Sequence, residues 1–179
     1  MSNRLGVFIS GRGSNLKSVL ENYDRDKLFV FSNKKNAQGL KWAVKRGVPV
    51  EILSLKKDSD WESLSDKMNK LKIKKIFLLG FMKIVPKIFL DQFDGEVINL
   101  HPSLLPDFPG LNSIAESLEA KKSVGVSLHH VNENMDEGPL IYKSALHLNS
   151  NFNKEEETLR IHSLEQHVVS CHIRLGVTA

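Results

Sequence analysis

Glu96-Val-Ile-Asn-Leu-His-Pro-Ser-Leu-Leu-Pro-Asp-Phe-Pro-Gly110 begins as a strand and ends as a loop. Val97, Ile98 and Leu100 are apolar, whereas Pro102, Pro106, Pro109 and Gly110 cannot continue a sheet interior. Asn99 and His101 flank the break. Residues two apart in an extended chain point the same way, so both side chains should project together beyond the strand end. An amide donor beside an imidazole suits chemistry at a carbonyl, where one stabilises developing negative oxygen and the other moves protons. The competing reading is a proline-rich surface loop with an incidental histidine.

Outward from this stretch, apolar runs alternate with amphipathic ones. Leu5 to Ile9, Leu28 to Phe31, Val50 to Leu53, Ile76 to Leu79 and Val97 to Leu100 read as strands. Between them, Asn15 to Leu20, Ala37 to Arg46 and Trp61 to Leu71 carry helical spacing, the second stopping at Gly47-Val48-Pro49. That alternation predicts an α/β fold: an open, twisted, mostly parallel sheet flanked by helices on both faces. Ligands of such sheets sit beyond the carboxyl ends of the strands. Ser10 to Ser14, the segment from Gly80 onward, and Asn99 to His101 all fall at such ends.

Further along, Ile114 to Ala120 reads as a helix, and Gly125 to Val131 and Leu140 to Leu148 as two strands. Ser127 and His129 should share one face of the first of these strands. A last helix over about Glu155 to Leu175 places Ile161, Leu164, Val168, Cys171 and Leu175 on an apolar stripe, with Cys171 as inert core. Ile161 precedes His162 and Glu165, which are helical neighbours and read as an exposed polar edge.

The 179 residues form one domain by size, with 41% hydrophobic and 26% charged residues, as in ordinary globular proteins. A net charge of +4 is spread over separate lysine pairs, which argues against a nucleic-acid stripe and leaves room for an anionic small substrate. One cysteine excludes an internal disulfide and a Cys-based zinc site. The seven histidines show no metal-ligand spacing. Leu5 to Ile9 is too short for a signal-peptide core, and no stretch approaches a membrane span, so a cytoplasmic protein is expected.

Three further segments carry candidate chemistry. Ser10-Gly-Arg-Gly-Ser-Asn15 joins a strand to a helix, and the amides of Gly13, Ser14 and Asn15 could hold a phosphate. The alternative is an empty turn with Ser14 as helix cap. The loop lacks the spacing of the dinucleotide fingerprint and of the P-loop. Gly80-Phe-Met-Lys-Ile-Val-Pro86 could line a pocket for a flat heteroaromatic ligand or simply pack beneath a loop. Asp136-Glu-Gly-Pro139 offers a carboxylate able to orient a histidine, or only a turn.

Taken together, Ser10-Gly-Arg-Gly-Ser-Asn15, Gly80-Phe-Met-Lys-Ile-Val85, Asn99-Leu-His-Pro-Ser-Leu-Leu-Pro106, Phe108-Pro-Gly110 and Asp136-Glu-Gly-Pro139 resemble, in order and spacing, the phosphoribosylglycinamide formyltransferase family. That family is the folate-dependent one of purine synthesis, within the wider 10-formyltetrahydrofolate-dependent formyltransferase superfamily. The resemblance implies a single Rossmann-like formyltransferase domain over residues 1–179, with 1–95 as a phosphate-binding half and 96–179 as a catalytic and folate-binding half. It implies Asn99, His101 and Asp136 as the catalytic trio, and His129 as a residue close to the reaction centre. Gly13, Ser14, Asn15 and, with His162 beside it, Glu165 would bind the ribonucleotide. Met82, Lys83, Ile84 and Val85, with Asn99, would line the folate site. The implied co-substrate is 10-formyltetrahydrofolate without a metal. The implied partners are glycinamide ribonucleotide and folate, with neither nucleic acid nor membrane, for a monomer or homodimer. Two positions depart from the family: Asn112, where His is common, and Trp61 within Asp60-Trp-Glu62, where Arg-Glu is common. A formyltransferase for another amine, or a non-catalytic folate- or nucleotide-binding module, are the alternatives.

Overall fold

The computed structural model describes residues 4–174. Strands and helices alternate as β1 (Arg4–Ile9), α1 (Ser14–Asn22), β2 (Leu28–Ser32), α2 (Gly39–Lys45), β3 (Val50–Ile52), α3 (Asp58–Lys70), β4 (Ile73–Leu78), α4 (Lys87–Gln92), β5 (Glu96–His101), α5 (Ser113–Ala120), β6 (Gly125–His130), β7 (Leu140–Ala145) and α6 (Lys154–Arg174). The sheet has seven strands in the order β3-β2-β1-β4-β5-β6-β7. β1 pairs parallel with β2 and β4, and β2 with β3, while β6 and β7 pair antiparallel. The sheet is therefore mostly parallel, as the alternation of elements predicts. The described residues fall into two compact units, divided between Ile98 and Asn99.

In the first unit, β1 and β2 are buried from Leu5 to Ile9 and throughout Leu28 to Ser32, as near-continuous apolar strands of a covered parallel sheet should be. Phe8 lies 4.7 Å from Phe31 and 6.1 Å from Phe89, ring centre to ring centre. Trp61 meets Phe89 at 5.6 Å and Phe81 edge-on at 6.4 Å. Trp61 is thus a core aromatic. α2 ends as its sequence signals: Gly47 adopts φ 72°, and the Val48 amide donates back to the Ala43 carbonyl at 3.0 Å. α3 begins three residues before the first apolar position, because Asp60 accepts from the Lys56 and Lys57 amides at 2.7 and 3.1 Å. The short helix α4 has no signal in the sequence: its six residues, entered from Pro86, are too few for a periodic pattern.

In the second unit, β6 is buried from Gly125 to His129, whereas β7 is largely exposed. The buried face of α6 comprises Glu157, Ile161, Glu165, Val168 and Val169. Leu164 and Cys171 are only half-buried, which corrects the expected stripe, and Leu175 lies outside the described residues. The cause is that two carboxylates belong to the inner face, and an apolar template passes over them. Glu157 accepts from the Asn149 amide at 2.6 Å and from Arg160 at 2.7 Å, so its burial is compensated.

Candidate active site

The carboxylate of Asp136 gathers the side chains carried by the end of β5. Asn99 Nδ2 donates to Asp136 Oδ1 at 3.2 Å, and His101 Nδ1 lies 3.4 Å from Oδ2. The two-residue spacing on one strand thus places both groups on one acid. His129 joins from β6: its Nε2 is 3.1 Å from Asn99 Nδ2 and 3.5 Å from Asp136 Oδ1. The Gly110 amide donates to Asp136 Oδ2 at 2.8 Å. His101 and His129 are 3% and 1% exposed, so these contacts are formed away from bulk water.

Backbone carbonyls fix both rings. His101 Nε2 donates to the Phe108 carbonyl at 2.9 Å, and His129 Nδ1 to the carbonyl of His130 at 2.8 Å. A carbonyl can only accept, so each of these nitrogens carries a proton. In the neutral ring His129 Nε2 is then an acceptor for Asn99, whereas in the doubly protonated ring its Nε2–H faces Asp136 Oδ1. Both amide donors of Asn99 are engaged inside the cluster.

Asp136 itself sits in a left-handed backbone conformation, φ 59°, which a short polar side chain tolerates. Behind it the loop closes tightly: a Cβ on Gly138 would lie 1.7 Å from the His130 carbonyl, and the His130 amide donates to Pro139 at 2.8 Å. Burial by itself pushes the Asp136 carboxyl up. Hydrogen bonding by His129 and by the Gly110 amide, with the positive charge of His101 and His129, outweighs that and holds it below the ordinary 3.8. Asp136 is therefore a carboxylate near neutral pH, able to orient and stabilise a cationic ring.

The proline loop is held on β6 by two fully buried hydroxyls. Ser127 Oγ accepts from the Leu105 amide at 3.1 Å and donates to the Ser103 carbonyl at 2.7 Å. Ser103 Oγ donates to the Asp107 carbonyl at 2.7 Å, with the Phe108 carbonyl at 3.3 Å. The partners of these serines, and the backbone groups of Phe108 and Gly110, escape a reading of the sequence. A peptide carbonyl or amide has no sequence signature, and a serine is silent until its partner is known.

In the first unit, the glycine loop meets α1 with Gly13 at the N-cap, φ 74°, and Ser14 as the first helical residue. Ser14 is therefore not the cap. A Cβ on Gly13 would stand 2.6 Å from Gly39 Cα, so this glycine is required by a neighbouring backbone whether or not a ligand is near. Asn15 is buried in the first turn. Ser10 Oγ donates to Asn33 at 2.6 Å and accepts from the Met82 amide at 2.7 Å, tying the loop after β1 to the loop after β4. In the latter, Met82 and Ile84 are 54% and 65% exposed, while Val85 belongs to the core at 2%. Lys83 reaches across to the Leu55 carbonyl at 2.8 Å.

On α6, Glu165 is 6% exposed and accepts from His162 Nδ1 at 2.7 Å, which overturns the exposed polar edge. Asn112 stands exposed at the start of α5 without capping it. Among the described residues, no group of three or more His, Cys, Asp or Glu side chains is arranged to hold a metal ion, and no helix is long and apolar enough to cross a membrane.

The model of the formyl transferase family matches residues 3–173. Phosphoribosylglycinamide formyltransferase of Bacillus subtilis is 30% identical over 90% of this chain and 88% of its own length. The trifunctional purine biosynthetic protein adenosine-3 of Drosophila melanogaster is 33% identical over 90% of this chain, which spans only 13% of that longer protein. The crystal structure of phosphoribosylglycinamide formyltransferase from Streptococcus pneumoniae superposes with a TM-score of 0.89 at 28% identity, covering 97% of this chain and 98% of that one.

Proposed function

Because the chain belongs to the formyl transferase family, we propose that it moves the formyl group of 10-formyltetrahydrofolate to the primary amine of 5-phosphoribosylglycinamide, a step of purine synthesis in the cytoplasm. The observation that carries this reading is the convergence of Asn99, His101 and His129 on the two oxygens of Asp136. A binding module needs no such buried cluster of an amide and two imidazoles around one carboxylate.

The amine nitrogen attacks the formyl carbon, and a tetrahedral oxyanion forms. Collapse breaks the bond to N10 of the folate, and the proton lost by the amine is delivered to N10. Asn99 donates to the oxyanion after releasing one of its two internal bonds. His101, when it carries its second proton, sets a positive charge beside the same point. A preorganised donor of this kind is worth about 3–4 kcal/mol of barrier. Asp136 orients His101 and balances its charge, and His101 Nδ1 is the point through which a proton moves. The long 3.4 and 3.5 Å contacts to Asp136 are of the sort that tighten once substrate is bound.

The amides of Gly13, Ser14 and Asn15 at the positive end of α1 suit the substrate phosphate, and Glu165 suits the polar part of the ribonucleotide. Exposed Met82 and Ile84, on a loop pinned through Lys83 and continued by Val85, suit the flat ring of a folate.

The test offers phosphoribosylglycinamide with 10-formylfolate to the purified chain and follows the deformylated folate by absorbance. Turnover that requires this amine supports the assignment. Turnover only with another amine moves the chain to a sister activity, and folate binding without turnover makes it a binding module.

A further inference from the structure

His101 offers two nitrogens to two competing acceptors. Nε2 faces the Phe108 carbonyl at 2.9 Å, and Nδ1 faces Asp136 Oδ2 at 3.4 Å. A carboxylate is intrinsically the stronger acceptor. A neutral ring with one proton would therefore give it to Asp136 unless the carbonyl were held firmly in place. Phe108 is not held by its own conformation, since φ 54° is a strained region for a bulky residue and needs support from its surroundings. That support comes from Ser103. Its fully buried hydroxyl lies 2.7 Å from the Asp107 carbonyl and 3.3 Å from that of Phe108, so it meets the peptide groups on both sides of Phe108.

We propose that Ser103 is a positioning residue for His101: by holding the Phe108 carbonyl against Nε2, it keeps the standing proton there and leaves Nδ1, facing Asp136, as the nitrogen that gains and loses one. The proposal rests on the reading of His101 as a proton-moving group in formyl transfer, but its first readout needs no substrate. Ser127 provides the internal comparison. It straps the same loop through hydrogen bonds to the Leu105 amide and the Ser103 carbonyl, on the other side of Ser103 from the Phe108 carbonyl.

The experiment records ¹⁵N-resolved imidazole spectra of the full chain, with the ring neutral, for the natural protein, S103A, S103C and S127A, alongside thermal unfolding and turnover. The natural protein should show His101 protonated at Nε2. S103A should move proton density to Nδ1 and lower kcat by roughly ten- to a hundredfold, the scale of a reacting group misplaced by about 1 Å, with KM little changed. S103C, near in shape but a weaker donor, should fall between and keeps the comparison open if S103A folds poorly. S127A should lower the unfolding temperature while leaving the proton on Nε2. The proposal is overturned if S103A keeps the Nε2 pattern, or if S127A moves the proton as far as S103A does. Absence of turnover in the natural protein, with the proton shift of S103A intact, would sink the assigned activity and leave the positioning role standing.

Discussion

Asp136 carries more of the site than any other residue, because both of its oxygens are met by polar groups from three separate stretches of chain. Replacing it by Asn keeps the shape and removes the charge. D136N should lose about 1.5–3 kcal/mol of stability near neutral pH, the range for hydrogen bonds to a charged group. The folded carboxyl is held below its ordinary value, so its contribution is fully present above about pH 3.9 and is lost as pH falls through the folded value. Urea unfolding of both proteins between pH 6 and pH 3 should therefore show their difference narrowing on the acid side; a constant gap would mean that the carboxylate is not selectively stabilised by folding. At this scale the sequence is half legible. Asn99 and His101 share a strand face by period alone, whereas Asp136 in sequence is only a turn residue. The Phe108 carbonyl and Gly110 amide are peptide groups that every chain possesses.

Among the elements, the loop from β1 into α1 separates local chemistry from tertiary demand. Gly13 reads as a glycine for a ligand to approach, yet its missing side chain makes room for Gly39. G13A combines a left-handed backbone with a 2.6 Å contact, and should cost at least about 1–2 kcal/mol in urea unfolding without ligand. Unchanged stability would return that glycine to a purely ligand-facing role. Trp61 makes the opposite case. In sequence the resemblance leads one to expect a polar pair there, but Trp61 is packed between Phe81 and Phe89. W61A should cost about 3–5 kcal/mol, as large aromatic truncations do, with the KM for folate unaltered. A selective rise in that KM would restore Trp61 to the folate side. Long apolar strands and capped helices were legible here because their period is local. α6 was misphased because Glu157 and Glu165 face inward beside partners that no periodic template includes.

For the whole molecule, the mostly parallel sheet follows from the alternation of strands and helices, but the strand order does not. β1 lies beside β4 as well as β2, and nothing in equally apolar strands names their neighbours. The active-site claim is likewise collective: Asn99, His101 and Asp136 act as one unit. The direct measurement is a double-mutant cycle on formyl transfer with H101A, D136N and the pair. Each single change should cut kcat by about a hundredfold or more while folate still binds, and the double should be little worse than the more damaging single. Near-natural turnover in either single, or losses that simply multiply in the double, would contradict it.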